Sequence, residues 1–171
     1  MTTLKKCFYC LYGILVKCVR RQSPNNPSHS IPPAVEKYLK KVDYKDTEKY
    51  VPPISYGKVV KVYDGDTITV ASRLPYGSQM FRFSVRLSGI DCAEIKAHSM
   101  AEKEEAELVR NVLSEKIMGK IVFLENVSVE KYGRLLADVY CEGEHINQWM
   151  LNNGHAVPYD GGTKMRPERW D

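Results

Sequence analysis

Residues 57–90 read GKVVKVYDGDTITVASRLPYGSQMFRFSVRLSGI, and the punctuation of this stretch decides the fold. Gly57–Val62 and Thr67–Ser72 are rich in β-branched residues, which suit a pleated, half-buried surface. They are parted by Tyr63-Asp64-Gly65-Asp66, which contains the Asp-Gly pair typical of hairpin turns. Pro75-Tyr76-Gly77-Ser78 marks a second turn. From Met80 to Ile90 the side chains alternate. Phe81, Phe83, Val85 and Leu87 fall on one face, and Arg82, Ser84 and Arg86 on the other. The stretch therefore predicts three consecutive strands.

Downstream, the period changes. Residues 100–117 predict a helix, with Val109, Val112, Leu113 and Ile117 near 3.6 spacing, glutamates crowding its start and Gly119 ending it. Lys120–Val129 and Arg134–Cys141 predict two further strands. A short helix over 146–153 stops at Gly154. Five strands with a helix between the third and fourth give a mainly β chain with some α: an OB-fold Greek-key barrel with two to three helices. Upstream, Ala34–Lys41 predicts a short helix after Pro33, and the charged, tyrosine-rich run 43–53 ends in Pro52-Pro53. Residues 34–53 are too few to hold a core of their own. The expected organisation is an arm (1–21), a linker and short extension (22–54) and a barrel domain (55–171).

The charge is unevenly placed. The chain of 171 residues carries +4, but residues 1–21 hold Lys5, Lys6, Lys17, Arg20 and Arg21 and no acid. That arm is +5, which leaves −1 for 22–171, so any nucleic-acid footprint on the body is a local patch. With 43% hydrophobic and 27% charged residues the composition excludes global disorder. Of five cysteines, Cys7, Cys10 and Cys18 lie in the arm and only Cys92 and Cys141 in the body; this is not a disulfide framework, and a reducing compartment is expected.

The arm's apolar run, CFYCLYGILV at 7–16, is too short to span a bilayer as a helix, which takes about 20 residues. Cys7, Cys10 and Cys18 beside basic residues are candidate lipidation sites, and lipid plus a polybasic cluster supplies the two signals that stable anchoring needs. The expectation is membrane association on the cytosolic face. A secretory signal or signal-anchor, or a tail with no membrane role, is the alternative. Cys7-x-x-Cys10 stands without a second ligand pair, which argues against zinc.

Four clusters carry chemistry. Asp64-Gly65-Asp66-Thr67 is a turn with a second acid that the turn does not require. Arg86 is followed by Asp91-Cys92-Ala93-Glu94 at the end of the third strand; read alone, this is a solvated arginine and an acidic turn. Glu130-Lys131-Tyr132-Gly133-Arg134 is a hairpin in which a glycine can aim Arg134 back at the barrel. Tyr159, near the C-terminus, is a stacking platform or a rim-packing ring. Strand ends and hairpins of an OB barrel can bring 66, 86, 91, 94 and 134 to one face. Two carboxylates suit a hard cation, two arginines suit a phosphodiester, and one remaining carboxylate can orient or deprotonate water.

At these residues the chain resembles the staphylococcal nuclease family over roughly 55–160. The resemblance rests on Asp-Gly-Asp-Thr (64–67), Arg86 followed by Asp91 and Glu94, Lys-Tyr-Gly-Arg (131–134), and Asn147 through Gly154-His155-Ala156, in that order. It implies that Asp66, Asp91 and the main-chain carbonyl of Cys92 bind one Ca²⁺. It implies Glu94 as general base or water-positioning group, Arg86 and Arg134 as phosphate clamps, and Lys131, Tyr132 and Tyr159 as the nucleotide's holders. The implied activity is cleavage of DNA and RNA, mainly single-stranded, with low sequence specificity and 3′-phosphate products, by a monomer. A catalytically silent scaffold that binds nucleic acid or protein is the alternative. The chain departs from the family pattern at Cys92-Ala93, where Thr-Pro is usual, in a short loop at 95–99, and at Gln148, where relatives carry Glu. With 12 residues after Tyr159 a further helix is not expected, and Trp170 is available to fill a gap in the core.

Overall fold

The computed structural model describes residues 31–162 and Pro167. Cys7, Cys10, Cys18 and Trp170 lie outside the described residues. The chain divides into two compact units, Met1–Thr47 and Glu48–Asp171. In the first, α1 (Pro33–Leu39) starts on a proline, whose missing N–H costs nothing in a first turn. A 3₁₀ turn follows at Tyr44–Asp46, where the Asp43 N–H donates to Asp46 Oδ2 at 3.0 Å. Neither element buries a residue.

The second unit is a closed barrel. Strands β1 (Tyr56–Val62), β2 (Thr67–Arg73), β3 (Met80–Leu87), β5 (Ile121–Val129) and β6 (Leu135–Cys141) run in the order β3-β2-β1-β5-β6. A short parallel pairing of β3 with β6, Val85↔Leu135 to Leu87↔Ala137, closes the ring. Two-residue strands β4 (Ile90–Asp91), β7 (Glu144–His145) and β8 (Val157–Pro158) complete the set. The five-stranded barrel expected from the sequence is thus the architecture found.

Inward-facing Val59, Ile68, Val70, Val85, Leu87, Val122, Ala137 and Val139 fill the barrel. Helix α2 (Met100–Ile117) adds Val109, Leu113 and Ile117, and α3 (Ile146–Asn152) adds Ile146 and Met150. Each such valine, leucine, isoleucine or methionine, fully buried, contributes about 1.5–3 kcal/mol.

One strand differs from expectation. The third run does not reach Ile90 but stops at Leu87, where the Ser88 N–H donates to Ala137 O at 2.9 Å. The chain then turns at Ser88-Gly89 and resumes as β4, which pairs with β8 through Asp91↔Val157. Asn147, buried on α3, holds this junction. Its Nδ2 donates to Ser88 O (2.9 Å) and Ala137 O (3.2 Å), and its Oδ1 accepts the Val139 N–H (2.9 Å). A primary amide satisfied at both ends is a clip between β6 and the turn that leads into Asp91.

Candidate active site

The turn between β1 and β2 presents Asp66 to the barrel's rim. Its backbone is tied at both ends: the Leu87 N–H donates to Asp66 O at 2.8 Å, and the Asp66 N–H donates to Asp64 Oδ1 at 3.2 Å. Gly65 is needed here for room rather than for dihedral freedom. A Cβ at 65 would stand 2.5 Å from Val109 Cγ1 and 2.9 Å from Cys92 Sγ. Helix α2 and Cys92 therefore press directly on the turn that carries the two aspartates.

Arg86 lies between Asp66 and Asp91. Its two terminal nitrogens reach Asp66 Oδ2 at 2.5 Å and Asp91 Oδ1 at 2.7 Å, and the second also donates to Ile90 O at 3.3 Å. Alternation alone suggested a side chain away from the core. Instead Arg86 is buried, at 9% exposure, and the aspartates are at 3% and 2%. A charge can be held there only because opposite charges meet it. A guanidinium has five N–H donors, and these contacts use three. The ring of Tyr159 lies 5.8 Å from the guanidinium carbon, set by the Tyr159 N–H bond to Gly89 O.

Burial, followed by the neighbouring charge of Asp64, raises the Asp66 carboxyl to about 7, with Arg86 opposing. Burial, more than any excess of charge, thus disfavours the ionised form of Asp66, and Arg86 only partly opposes it. Burial pushes the Cys92 thiol far above its ordinary range, so it stays protonated and only its carbonyl is left as a hard donor.

Glu94 sits on the loop after β4, exposed at the cleft, with its backbone N–H donated to Glu102 Oε1 at 3.2 Å. Glu102 is a buried carboxylate in the first turn of α2 that sequence reasoning passed over. The signal was there: Ser99-x-x-Glu102 is a capping-box spacing, and Ser99 does cap the helix. The glutamate reaches the Glu94 loop, where Ala93, Ala106, Ile95 and Val157 form a small apolar patch.

On the far wall, Gly133 takes φ +82°, which allows the tight turn between β5 and β6. The Gly133 N–H donates to Glu130 O (3.1 Å), and the Arg134 Nε pairs with Glu130 Oε1. That leaves the outer fork of Arg134 for another partner. Lys131 Nζ stands 4.8 Å from the Tyr132 ring, which is largely exposed.

These elements enclose a cleft of about 430 Å³. It brings together Asp66, Arg86, Asp91, Cys92, Glu94, Lys131, Tyr132, Arg134 and Tyr159, all the body residues singled out from the sequence. It adds Tyr63, Asp64 and Lys96, which the sequence reading had left as turn and loop residues. Among the described residues no three His, Cys, Asp or Glu side chains form a complete metal cage. The donor set is two buried carboxylates, one of them costly to ionise as it stands, plus main-chain oxygen. It fits a hard divalent cation that keeps several waters.

Comparison with known proteins fits this geometry. The model of a family described as staphylococcal nuclease homologue matches residues 84–169. A protein of Oryza sativa subsp. japonica named as a probable staphylococcal-like nuclease is 35% identical over 92 residues, covering 53% of this chain and 22% of its own length. An uncharacterized protein of Bacillus anthracis is 30% identical over 139 residues (78% of this chain, 59% of its own). A protein of Escherichia coli O157:H7 named as an uncharacterized endonuclease is 30% identical over 106 residues (61% of each). The chain thus spans from about a fifth to three fifths of these relatives.

The raised Asp66 carboxyl gives a prediction for metal-free protein. Between pH 3.8 and about 7 the unfolded chain has released this proton while the folded chain keeps it. Asp66 therefore makes stability fall as pH rises through that window, by at most about 4 kcal/mol. Urea unfolding in EDTA across this range should show the fall in wild type, relative to a flatter Asp66→Asn. Parallel curves would rule out the shift.

Proposed function

The chain belongs to the family of staphylococcal nuclease homologues, and on that footing we propose that it is a nuclease that hydrolyses phosphodiester bonds of DNA and RNA with a bound divalent cation, Ca²⁺. The observation that carries this reading is the shared grip of Asp66 and Asp91 on Arg86, beside Glu94 and across one cleft from Arg134. Relatives named as nucleases and endonucleases support it.

Asp66, Asp91 and the Cys92 carbonyl would hold the ion, which when bound supplies Lewis-acid polarisation of the phosphoryl group. The chain's own residues do the remaining work. Arg86 turns its two spare N–H donors, and Arg134 its outer fork, to the non-bridging oxygens, where charge accumulates as the phosphorus becomes five-coordinate. Glu94 orients a water and takes its proton. Lys131 meets a flanking phosphate, and Tyr132 and Tyr159 offer ring faces to bases. Grasping phosphate and stacking bases read no base edges, which gives low sequence preference and favours single strands. Products ending in 3′-phosphate follow if water displaces the 5′-oxygen.

Purified protein should degrade single-stranded DNA and RNA at millimolar calcium and stop in EDTA. Arg86→Ala, Arg134→Ala or Glu94→Gln should each lower kcat by about 10²–10³, the cost of losing one preorganised group. One observation also suits a silent scaffold: Arg86 already pairs with both carboxylates. Tight oligonucleotide binding with no cleavage at any calcium concentration would establish that second reading.

Glu102 is proposed as a positioning residue acting through the Glu94 backbone. Glu102→Ala should lower kcat about tenfold, roughly the cost of one buried hydrogen bond. Oligonucleotide affinity should be unaltered and Glu102→Gln should restore the rate. Equal loss in both variants would contradict the role.

For residues 1–21 we propose reversible membrane attachment through Cys7, Cys10 or Cys18 and the basic cluster. A reporter fused to residues 1–30 should sediment with membranes and become soluble when the three cysteines are replaced by serine. A wholly soluble parent fusion would reject the anchor.

A further inference from the structure

A second hollow, of about 360 Å³, lies across the β5–β6 turn from the cleft. Its origin is topological. Strand β3 pairs with β2 along its whole length but meets β6 only from Val85 onward. Over Arg82–Ser84 the barrel wall is open on that side, and the gap is lined by Arg82, Phe83 and Ser84 on one flank and by Val129, Gly133 and Leu135 on the other. Tyr50 and Pro52, from the segment before β1, cover part of it.

Three features make this hollow a continuation of the cleft. The turn is a shared wall: Glu130, Lys131, Tyr132 and Arg134 face the cleft, while Gly133 faces the hollow. Arg82, Ser84 and Arg86 stand at alternate positions of one strand, so a row of polar side chains about 13 Å long joins the two sites. The hollow's lining also holds a cation, Arg82, and no carboxylate, and Arg82 makes no ion pair among the described residues. The aromatic side chains complete the case. Tyr50 is 62% exposed at the mouth, and its hydroxyl hydrogen-bonds that of Tyr76, on the turn between β2 and β3. Phe83 is half-buried and packs on the core, giving the hollow a firm apolar floor.

A positive, acid-free groove with an exposed ring at its mouth, continuous with a phosphodiester cleft, has the chemistry of a single-strand track. We propose that this hollow is an extended nucleic-acid subsite. A single strand seated in the cleft continues past Gly133, placing a phosphate on Arg82 and a base on Tyr50. The proposal rests on the nuclease reading above. It adds a length dependence: strands long enough to reach the hollow bind more tightly than those confined to the cleft.

The test is fluorescence anisotropy of a labelled trinucleotide and a labelled decanucleotide, with cleavage kinetics on the same strands, for wild type, Arg82→Ala, Arg82→Lys and Tyr50→Ala. Arg82→Ala should weaken decanucleotide binding several-fold and reduce the slope of log affinity against log salt by about 0.7, one phosphate contact on a single strand. Arg82→Lys should keep most of the affinity. Tyr50→Ala should weaken the decanucleotide about fivefold or more, the lower end of one lost base–ring stack. Trinucleotide binding and saturated kcat should not change in any variant. If wild type cuts and the variants lose nothing on the decanucleotide, or lose equally on both strands, the subsite is refuted and the nuclease reading stands. A wild-type chain that neither binds nor cuts overturns both.

Discussion

Everything at the rim of this barrel depends on one buried arrangement: a guanidinium held between two aspartates that come from different parts of the chain. Asp66 arrives on the turn between the first two strands, Arg86 on the third strand, and Asp91 on the short strand that follows it. Two negative charges so deep in a protein repel each other and resist desolvation. Arg86 relieves part of that cost and burial reasserts the rest, which is why the Asp66 carboxyl stays protonated up to about neutral pH. An arrangement tuned only for stability would not bury a carboxyl that is so costly to ionise. One tuned to receive a cation would.

The scaffold serves that arrangement by constraint at several points. Gly65 admits the close approach of Val109 and Cys92, so the aspartate turn has no freedom to lift. Asn147 fixes the turn that precedes Asp91 by satisfying three backbone groups at once. Glu102, from within helix α2, grips the backbone at Glu94. The barrel's closure between β3 and β6 begins at Val85, one residue before Arg86. The arginine therefore stands where the wall becomes continuous, and the stretch just before it, left open, forms the second hollow.

Much of this was legible in the chain, for identifiable reasons. Helix α2 reads correctly from residue to residue because glutamates at its start, a 3.6 period and Gly119 agree. The barrel strands read because their turns are marked by Asp-Gly, Pro-Tyr-Gly and Lys-Tyr-Gly. Nine of the cleft's residues could be picked out because ordered motifs and their gaps matched a known family. What did not read was non-local. Alternation put Arg86 away from the core, since it cannot foresee that two aspartates from elsewhere will bury it. Glu102 read as one more acid at a helix start. The shared pressure of Asp64 on Asp66 needs the folded turn. The hollow beside Arg82 needs knowledge of where one strand stops pairing, which no single segment carries.

On the function proposed above, Asp66 and Asp91 together form the seat of one divalent ion. Calorimetric titration of the purified chain with calcium at pH 8 addresses it without reference to any substrate. The account predicts saturable binding of a single ion per chain, lost on replacing Asp91 by asparagine while the fold persists by circular dichroism. Heat of binding that is absent from the intact chain, or unaffected by that replacement, would contradict it.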